Sequence, residues 1–366
     1  MARFEALGLV KEFLFPGRHS GTAIPPLDGG LTPNDALDAA EEFVEVAEPD
    51  DVLLADKHVY LSSGNAVLRV AADGGKPVTV AEFDGETGAL TQLPDGRILV
   101  AVAGSGVMSM TTEGQTRVVL TEAGGQPLLC PTDFALTADG SVLVTDGSTQ
   151  HCGQNWVHDL MERNRLGRLV RFNPDGGSVT VLADGLAYAS GVALGVDGAT
   201  AVVSQAWAHE ISTIPLAGNT GPAPLKGNLP GYPGRLHPAA DGGYWLAMFA
   251  LRTQLVEFTL TQRDYVREMM RTIEPDYWIR PALRSLNSGL EPLQGGQIRK
   301  LGVIKPWAPP RSYGLVVRLD ADGHPASSMH SRGGGSRHGV TAVRQFGERV
   351  LIAVRGGDRV VEVTDR

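Results

Sequence analysis

Apolar and polar residues repeat along the chain as pairs of short apolar runs joined by a tight turn. The clearest copies lie between residues 186 and 248, where SGVALGVDGATAVVSQ and GRLHPAADGGYWLAM each place Asp-Gly between two apolar runs. Glycine accepts the positive φ that tight hairpin turns need, so this arrangement is a strong β-hairpin signal. The pattern predicts a chain built from repeated hairpins.

Six such hairpins can be placed, and their spacing predicts the architecture. Their turns lie at Lys57, Gly96, Gly140, Gly198, Gly242 and Glu348. Most successive turns are about 40–45 residues apart, the length of a four-stranded propeller blade. Longer intervals indicate insertions at residues 149–168 and 261–311. We predict an all-β, six-bladed β-propeller as one domain over residues 41–366, with the insertions over one channel mouth. A β-sandwich pair and a seven-bladed ring are the alternatives.

The two ends of the repeat predict how the ring closes. Residues 42–46 (EFVEV) precede the first hairpin, and residues 359–363 (RVVEV) follow the sixth. If they share one blade, the ring has no exposed sheet edge. Residues 1–40 are predicted to be a lead-in packed on the outside of the propeller, with a helix starting near Thr32-Pro33.

The insertions are predicted to contain short amphipathic helices. DLMERNR in the first insertion has helical spacing of apolar and charged residues, as do RDYVREMMRTI and PDYWIRPALRSL in the second. Helices beside a channel mouth are typical of a lid or a dimer surface. We therefore expect a monomer or a homodimer.

Composition narrows the classes of partner. The formal net charge of −9 disfavours a nucleic-acid partner. No apolar run approaches the roughly 18 residues of a membrane-spanning helix, and the first 20 residues lack the apolar core of a secretory signal. We expect a cytoplasmic protein that does not bind membranes and acts on a small-molecule substrate.

The chain has two cysteines, Cys130 and Cys152, which flank the third hairpin. Antiparallel pairing brings their backbones close, so a disulfide is geometrically possible, whereas a cytoplasmic protein keeps thiols reduced. Cys152 lies near His151 and His158, but this spacing matches no tetrahedral zinc site. The insertion is expected over the channel mouth, which makes His151 and Trp156 candidates for substrate contact.

Polar residues at the starts of the inner strands form the candidate site, because these strands start beside the channel. Asp50 either points into the channel or caps a turn together with Asp51. Arg235 begins the fifth inner strand. Pointing inward, it needs Asp50 or Asp133 as a partner, because an unpaired buried guanidinium is costly. A register error of one residue would instead turn it to solvent.

Two histidines are candidate general bases, because histidine titrates near neutral pH. His209 alternates with Trp207 in a strand-like run, so the two are expected to share a face. The candidate catalytic residues are His209, Arg235, Asp50 and His338. The candidate substrate-binding residues are Thr132, Asp133, Ser190, Trp207, Tyr232, His151 and Trp156.

Three runs, CPTDFALTADGSVLVTDGST, YASGVALGVDGATAVVSQAWAHEI and NLPGYPGRLHPAADGGYWLAM, resemble the strictosidine synthase-like family. The likeness covers roughly residues 45–360. This family belongs to a superfamily of six-bladed propellers that includes paraoxonases, gluconolactonases and phosphotriester hydrolases. The resemblance therefore implies the same fold and a site in the central channel.

The metal-dependent relatives hold a catalytic calcium on acids and amides at the starts of inner strands. The matching positions here are Asp50, Thr132, Ser190, Gly234 and Arg235. Ca²⁺ takes about 6–8 oxygen ligands, and only Asp50 keeps a carboxylate. The Arg235 guanidinium would repel a divalent cation and could substitute for it. We therefore expect no calcium and no other cofactor.

The resemblance leaves the chemistry open. Strictosidine synthase uses a glutamate that corresponds to Thr341 here, which argues against its condensation. The first hypothesis is a metal-independent hydrolase of an ester or lactone, with His209 or His338 as base and Arg235 stabilising developing charge. Thr132 and Ser190 would donate hydrogen bonds. A lyase, isomerase or condensing enzyme in the same pocket, and a non-catalytic binding propeller, are the alternatives.

Overall fold

A computed structural model describes residues 23–218, 221–286, 291, 299–300, 303–304 and 311–365. Residues 1–22 of the predicted lead-in lie outside the described residues. The described chain enters through helix α1 (Ala36–Ala39) and strand β1 (Glu41–Glu45). Leu37 of α1 is fully buried against Val316 and Val340, so this part of the lead-in packs on the propeller.

Six four-stranded antiparallel sheets follow as blades. Blade one contains β2 (Pro49–Ala55), β3 (His58–Ser63), β4 (Ala66–Ala71) and β5 (Val78–Glu82). Blade two contains β6 (Thr87–Gln92), β7 (Ile98–Val102), β8 (Gly106–Met110) and β9 (Thr116–Leu120). A small hairpin, β10 (Glu122–Ala123) and β11 (Gln126–Pro127), leads to blade three. Blade three contains β12 (Pro131–Leu136), β13 (Val142–Asp146), β14 (Gly167–Phe172) and β15 (Val179–Leu186).

The second half of the ring repeats this order. Blade four contains β16 (Ala189–Leu194), β17 (Thr200–Gln205), β18 (Glu210–Pro215) and β19 (Ala223–Lys226). Blade five starts with β20 (Gly231–Pro238) and β21 (Tyr244–Leu251). Its insertion carries β22 (Arg299–Lys300) and β23 (Val303–Ile304), and the blade ends with β24 (Gly314–Leu319) and β25 (Pro325–Ser331). Blade six contains β26 (Val340–Phe346), β27 (Arg349–Val354) and β28 (Arg359–Thr364).

The first and last strands close the ring. Strand β1 pairs antiparallel with β28, which places Glu41 opposite Glu362 and Glu45 opposite Arg359. The six predicted hairpins are the six inner strand pairs of the blades. Both the six-bladed architecture and the closure by terminal strands are therefore confirmed.

The helices of the insertions were only partly predicted. Helix α2 (Trp156–Glu162) starts three residues before the predicted DLMERNR. Helix α3 (Gln254–Thr261) was missed; the hydroxyl of Thr253 caps it by accepting from the amide of Val256 at 3.3 Å. Helix α4 (Arg263–Thr272) follows the prediction. None of the helices in the described part of the chain has the length and apolarity needed to span a lipid bilayer.

Helix was wrongly predicted across residues 275–286. Within the described residues this stretch contains only the 3₁₀ turn Pro275–Tyr277. Pro281 explains the difference, because proline lacks an amide hydrogen and disfavours helical backbone at the preceding residue. The other 3₁₀ turns among the described residues are Gly29–Leu31, Gly153–Asn155, Ala206–Ala208 and Arg355–Gly357.

Buried aspartates tie neighbouring inner strands together. Asp51 on β2 accepts from the amide of Leu90 on β6 at 2.8 Å, and the Arg344 Nε donates to Asp51 at 2.9 Å. Asp133 on β12 accepts from the amide of Val192 on β16 at 3.0 Å. We call Asp51 and Asp133 the blade-locking aspartates. Their hydrogen bonds fix how neighbouring inner strands are positioned along the propeller axis, and the ends of these strands form the channel mouth.

Candidate functional site

A cavity with an empty volume of about 820 Å³, open mouth included, lies where the inner strands begin. Each of the six inner strands contributes to its lining, through Asp50, Gly88, Thr132, Ser190, Arg235 and Thr341. Residues of both insertions cover it, including Trp156 and Leu283. The cavity therefore lies on the axis of the propeller, and we call it the channel cavity.

Arg235 points inward and forms the floor of this cavity. Its Nε donates to the carbonyl of Thr132 at 2.9 Å, its Nη1 donates to the carbonyl of Asp50 at 2.7 Å, and its Nη2 pairs with the Asp50 carboxylate. A Cβ atom on Gly88 would lie 3.2 Å from Nη2, so glycine there makes room for the guanidinium. The predicted inward pairing with Asp50 is confirmed.

Burial alone would lower the pKa of Arg235, but the negative charges of Asp50, Asp51 and Asp133 raise it. The guanidinium is therefore a permanent positive charge at the centre of the ring. Its bonds to carbonyls of two other blades also hold it rigidly.

Arg355 and Glu86 complete the charged floor, and the sequence analysis missed both. Arg355 Nη1 donates to the second carboxylate oxygen of Asp50 at 3.1 Å, and its Nη2 donates to Glu86 Oε1 at 3.3 Å. Burial would lower the pKa of Arg355, but Asp50, Glu86 and Glu48 raise it. The Asp50 carboxylate thus lies between two guanidiniums. Glu86 directly precedes β6, so a search extended by one residue before each inner strand would have found it.

Aromatic rings form the opposite wall of the cavity. Tyr188 and Trp207 have ring centroids 4.4 Å apart, and Trp156 lies 5.9 Å from Trp207 and 5.6 Å from Phe249. The indole nitrogen of Trp207 donates to Asp159 of α2 at 2.8 Å, which fixes the first insertion against blade four. Such a wall suits the apolar or aromatic body of a small molecule.

The donors at the channel centre do not suit Ca²⁺. Both carboxylate oxygens of Asp50 receive guanidiniums. The hydroxyl of Thr132 donates to the carbonyl of Ala189 at 2.7 Å, and that of Ser190 donates to the carbonyl of Pro233 at 2.7 Å. Ca²⁺ takes about 6–8 oxygen ligands, and two fixed guanidiniums would repel it. In the described part of the chain, no cluster of three or more His, Cys, Asp or Glu side chains could hold a metal ion.

The two predicted catalytic histidines lie outside the channel cavity, which corrects the prediction. Residues 206–208 form a 3₁₀ turn and His209 has φ +53, so Trp207 and His209 do not alternate along a strand. His209 Nδ1 donates to the carbonyl of Gly231 at 3.2 Å. His338 accepts from the Ser312 hydroxyl and donates to the carbonyl of Arg332, both at 2.9 Å.

Three predicted substrate-binding residues also lie outside the cavity. Tyr232 is fully buried behind Trp207 and donates to Glu257 at 3.2 Å. Asp133 is fully buried as a blade-locking residue, and burial raises its pKa to about 7. His151 pairs with Glu162 at 2.8 Å. The predicted residues that do line the cavity are Asp50, Thr132, Trp156, Ser190, Trp207 and Arg235.

Both cysteines are free thiols in the structure. Cys130 lines the cavity, 3.6 Å from the Tyr188 hydroxyl. Burial raises the pKa of its thiol to about 12, so it is a poor nucleophile.

The sequence matches known proteins over much of its length. Residues 60–269 match the family described as "SMP-30/Gluconolactonase/LRE-like region". The adipocyte plasma membrane-associated protein of Salmo salar is 26% identical over 275 residues, which cover 67% of this chain and 65% of that protein. The strictosidine synthase-like 10 protein of Arabidopsis thaliana is 28% identical over 200 residues, covering 52% of this chain and 50% of that protein. The matched segments thus span half to two thirds of these relatives.

Solved structures share the fold at low identity. A gluconolactonase from Xanthomonas campestris has a TM-score of 0.58 and 15% identity, covering 93% of this chain and 96% of that one. Regucalcin from Agrobacterium tumefaciens, described as a calcium-binding protein, has a TM-score of 0.56 and 12% identity, covering 89% and 95%. With the sequence match over more than half of its length, the chain belongs to the SMP-30/gluconolactonase/LRE-like family of six-bladed propellers, with strictosidine synthase-like proteins among its homologues.

Proposed function

We propose that this protein hydrolyses a carboxylic ester or lactone in the channel cavity without a metal ion. The observation that carries this proposal is the charged floor, where Asp50 lies between the guanidiniums of Arg235 and Arg355, and Glu86 lies beside Arg355. The carboxylate of Glu86 and the guanidinium of Arg355 therefore line the same channel cavity, which has aromatic rings on its other wall.

Glu86 is the proposed general base. Its side chain is 25% exposed and lines the cavity. Its described hydrogen bonds, from Arg355 at 3.3 Å and from Gln154 at 3.1 Å, both end on Oε1. Oε2 is therefore the atom assigned to hold the attacking water. As the water oxygen bonds to the substrate carbonyl carbon, the Glu86 carboxylate takes one of its protons.

Arg355 is the proposed stabiliser of the oxyanion. It donates to acids through Nη1 and Nη2, and guanidinium carries five N–H groups, so donors remain for a developing negative charge. Arg235 uses its N–H groups on carbonyls and on Asp50. Asp50 and Arg235 therefore act as positioning residues that fix Arg355.

Collapse of the tetrahedral intermediate completes the reaction. The bond between the carbonyl carbon and the leaving oxygen breaks, and that oxygen takes the proton from Glu86. An ester yields an acid and an alcohol, and a lactone yields one hydroxy acid. The gluconolactonase among the solved structures of this fold supports a lactone as one candidate substrate.

Hydrolysis is favoured over condensation by the residue at position 341. The resemblance to strictosidine synthase-like proteins implies that Thr341 corresponds to the glutamate of strictosidine synthase, and the Thr341 hydroxyl donates to the carbonyl of Pro49 at 3.3 Å. A hydroxyl held on a carbonyl does not replace a carboxylate in acid–base chemistry at that position.

The test is turnover of a panel of aryl esters and aliphatic lactones by protein treated with EDTA. We expect hydrolysis at a rate that the chelator leaves unchanged. Activity lost with EDTA and restored by Ca²⁺ would overturn the metal-independent mechanism. Panel members that bind the cavity and are not turned over would favour the non-catalytic binding propeller.

A further inference from the structure

A second cavity adjoins the channel cavity. It has an empty volume of about 1050 Å³, open mouth included, and lies between α2, residues 275–286 and Arg311. The two cavities share Trp156, Leu283 and Arg355 as lining residues. We call the second cavity the vestibule.

Two buried guanidiniums line the vestibule. The side chains of Arg280 and Arg311 are only 11% and 1% exposed. The carboxylate partner of Arg280 is Asp276 at 3.2 Å, which is itself 69% exposed and therefore well screened by water. Burial, followed by the charge of Arg311, lowers the pKa of Arg280 to about 10. Arg311 forms a buried ion pair with Glu291 at 3.2 Å, so the incompletely offset positive charge is that of Arg280.

Two nitrogen atoms of the vestibule lining lack partners. Among the described residues, Arg311 Nε and His158 Nδ1 are buried and make no hydrogen bond. Buried donors are normally paired, so each unpaired one needs an explanation such as a missing ion or ligand. Arg311 carries a hydrogen on Nε in every state, and neutral histidine can carry one on Nδ1.

The other charges of the vestibule are already paired. Arg284 donates to Asp358 at 2.9 Å and to Glu48 at 3.2 Å. Arg355 is engaged by the acids of the channel floor. The incompletely offset charge is therefore that of Arg280, and the unpaired nitrogens beside it are those of Arg311 and His158.

From this geometry we propose that the vestibule binds an anionic group, a carboxylate or a phosphate, at the end of the substrate remote from its reacting carbonyl, through Arg280, Arg311 and His158. This inference rests on the proposed hydrolase function. Trp156 connects the two sites, because its ring lines both cavities and lies 5.8 Å from the Arg280 guanidinium carbon. The substrate class is an amphiphilic ester or lactone with an apolar middle and an anionic end.

The test compares 4-nitrophenyl monoesters of dicarboxylic acids of increasing length with their methyl-capped neutral counterparts. At one chain length, wild-type protein should favour the free acid in kcat/KM by at least about tenfold, the value of one charge-assisted hydrogen bond. Arg280→Gln should remove this preference, chiefly through a higher KM for the acid. Arg267→Gln removes the same charge from a side chain on α4 that is 74% exposed, and should keep the preference.

Equal kcat/KM for acid and capped ester in wild-type protein, or a preference that survives Arg280→Gln, would overturn the proposal. If Arg280→Gln does not fold, His158→Phe takes its place, because an aromatic ring keeps the packing on Trp278, whose centroid lies 4.8 Å away. His158→Phe should also reduce the preference.

Calorimetry separates failure of this inference from failure of the hydrolase function. If no ester is hydrolysed, the hydrolase proposal fails, and glutarate and inorganic phosphate are titrated into wild-type protein and Arg280→Gln. If either anion binds the wild-type protein and Arg280→Gln abolishes that binding, the vestibule site is supported. The anion that binds then shows whether the site takes a carboxylate or a phosphate. Absence of binding by both anions overturns it.

Discussion

Asp50 and Asp51 are adjacent carboxylates on one inner strand with different surroundings. Asp51 is fully buried and accepts from the backbone amides of Val52 and Leu90, both at 2.8 Å, as well as from Arg344. Asp50 faces the channel cavity, and within the described chain the side chains that donate to its carboxylate are guanidiniums. The register of β2 against β3 shifts between Pro49 and Asp51, and this irregularity at Asp50 separates the two side chains.

The difference shows how buried charges can be sorted into structural and functional ones. The blade-locking aspartates are bonded to backbone amides of the next blade, so they have no capacity for a ligand. On the channel floor the charges pair with one another through side chains, and Arg355 and Glu86 keep polar atoms toward the cavity. Substitutions at the two places should therefore affect different observables.

The largest effect is expected for Asp51→Asn. The amide would place a donor against a backbone N–H or the Arg344 guanidinium. That guanidinium, which is only 12% exposed, would lose its carboxylate, at a cost of about 3–5 kcal/mol in the free energy of unfolding. Asp50→Asn is the matched control. It should cost about 1–3 kcal/mol, because Arg235 keeps its carbonyl acceptors. Urea unfolding measures both, and equal costs would contradict the distinction.

A smaller effect is expected for Arg235→Ala. Arg355 still neutralises Asp50 in this variant, so the cost should be about 1–3 kcal/mol in the free energy of unfolding. The kcat/KM for ester hydrolysis should fall by more than the loss of folded protein explains, because Arg355 loses its fixed position. Arg235→Lys should recover part of the stability without the bonds to both carbonyls. Wild-type activity in Arg235→Ala would show that the floor does not position Arg355.

The smallest effect concerns the pH dependence of stability through Asp133. Burial raises its pKa from 3.8 to about 7, so the folded state holds this proton more tightly than the unfolded state. The free energy of unfolding should therefore fall as pH rises from about 4 to about 7 on account of this group. Asp133→Asn should remove this contribution to the change of the free energy of unfolding with pH. Urea titrations at several pH values test it, and identical slopes would contradict the role of burial.

The hairpins and the ring closure could be predicted because turn chemistry and apolar alternation are local. The inward direction of Arg235 followed from its place at the start of an inner strand. The histidines were misassigned because His209 follows a 3₁₀ turn with positive φ, and no alternation rule describes that backbone. Arg355 and Glu86 are 269 positions apart in sequence and meet only through closure of the ring. Their contact has no local signal.

The central claim is that Glu86 activates water in the channel cavity. Its most direct test is kcat/KM for ester hydrolysis by Glu86→Gln in the presence of EDTA. We expect a fall of about a hundredfold or more, the typical contribution of a general base. Glu82→Gln, the same change at an exposed position on β5, should behave as wild type. Wild-type kcat/KM in Glu86→Gln would contradict the mechanism.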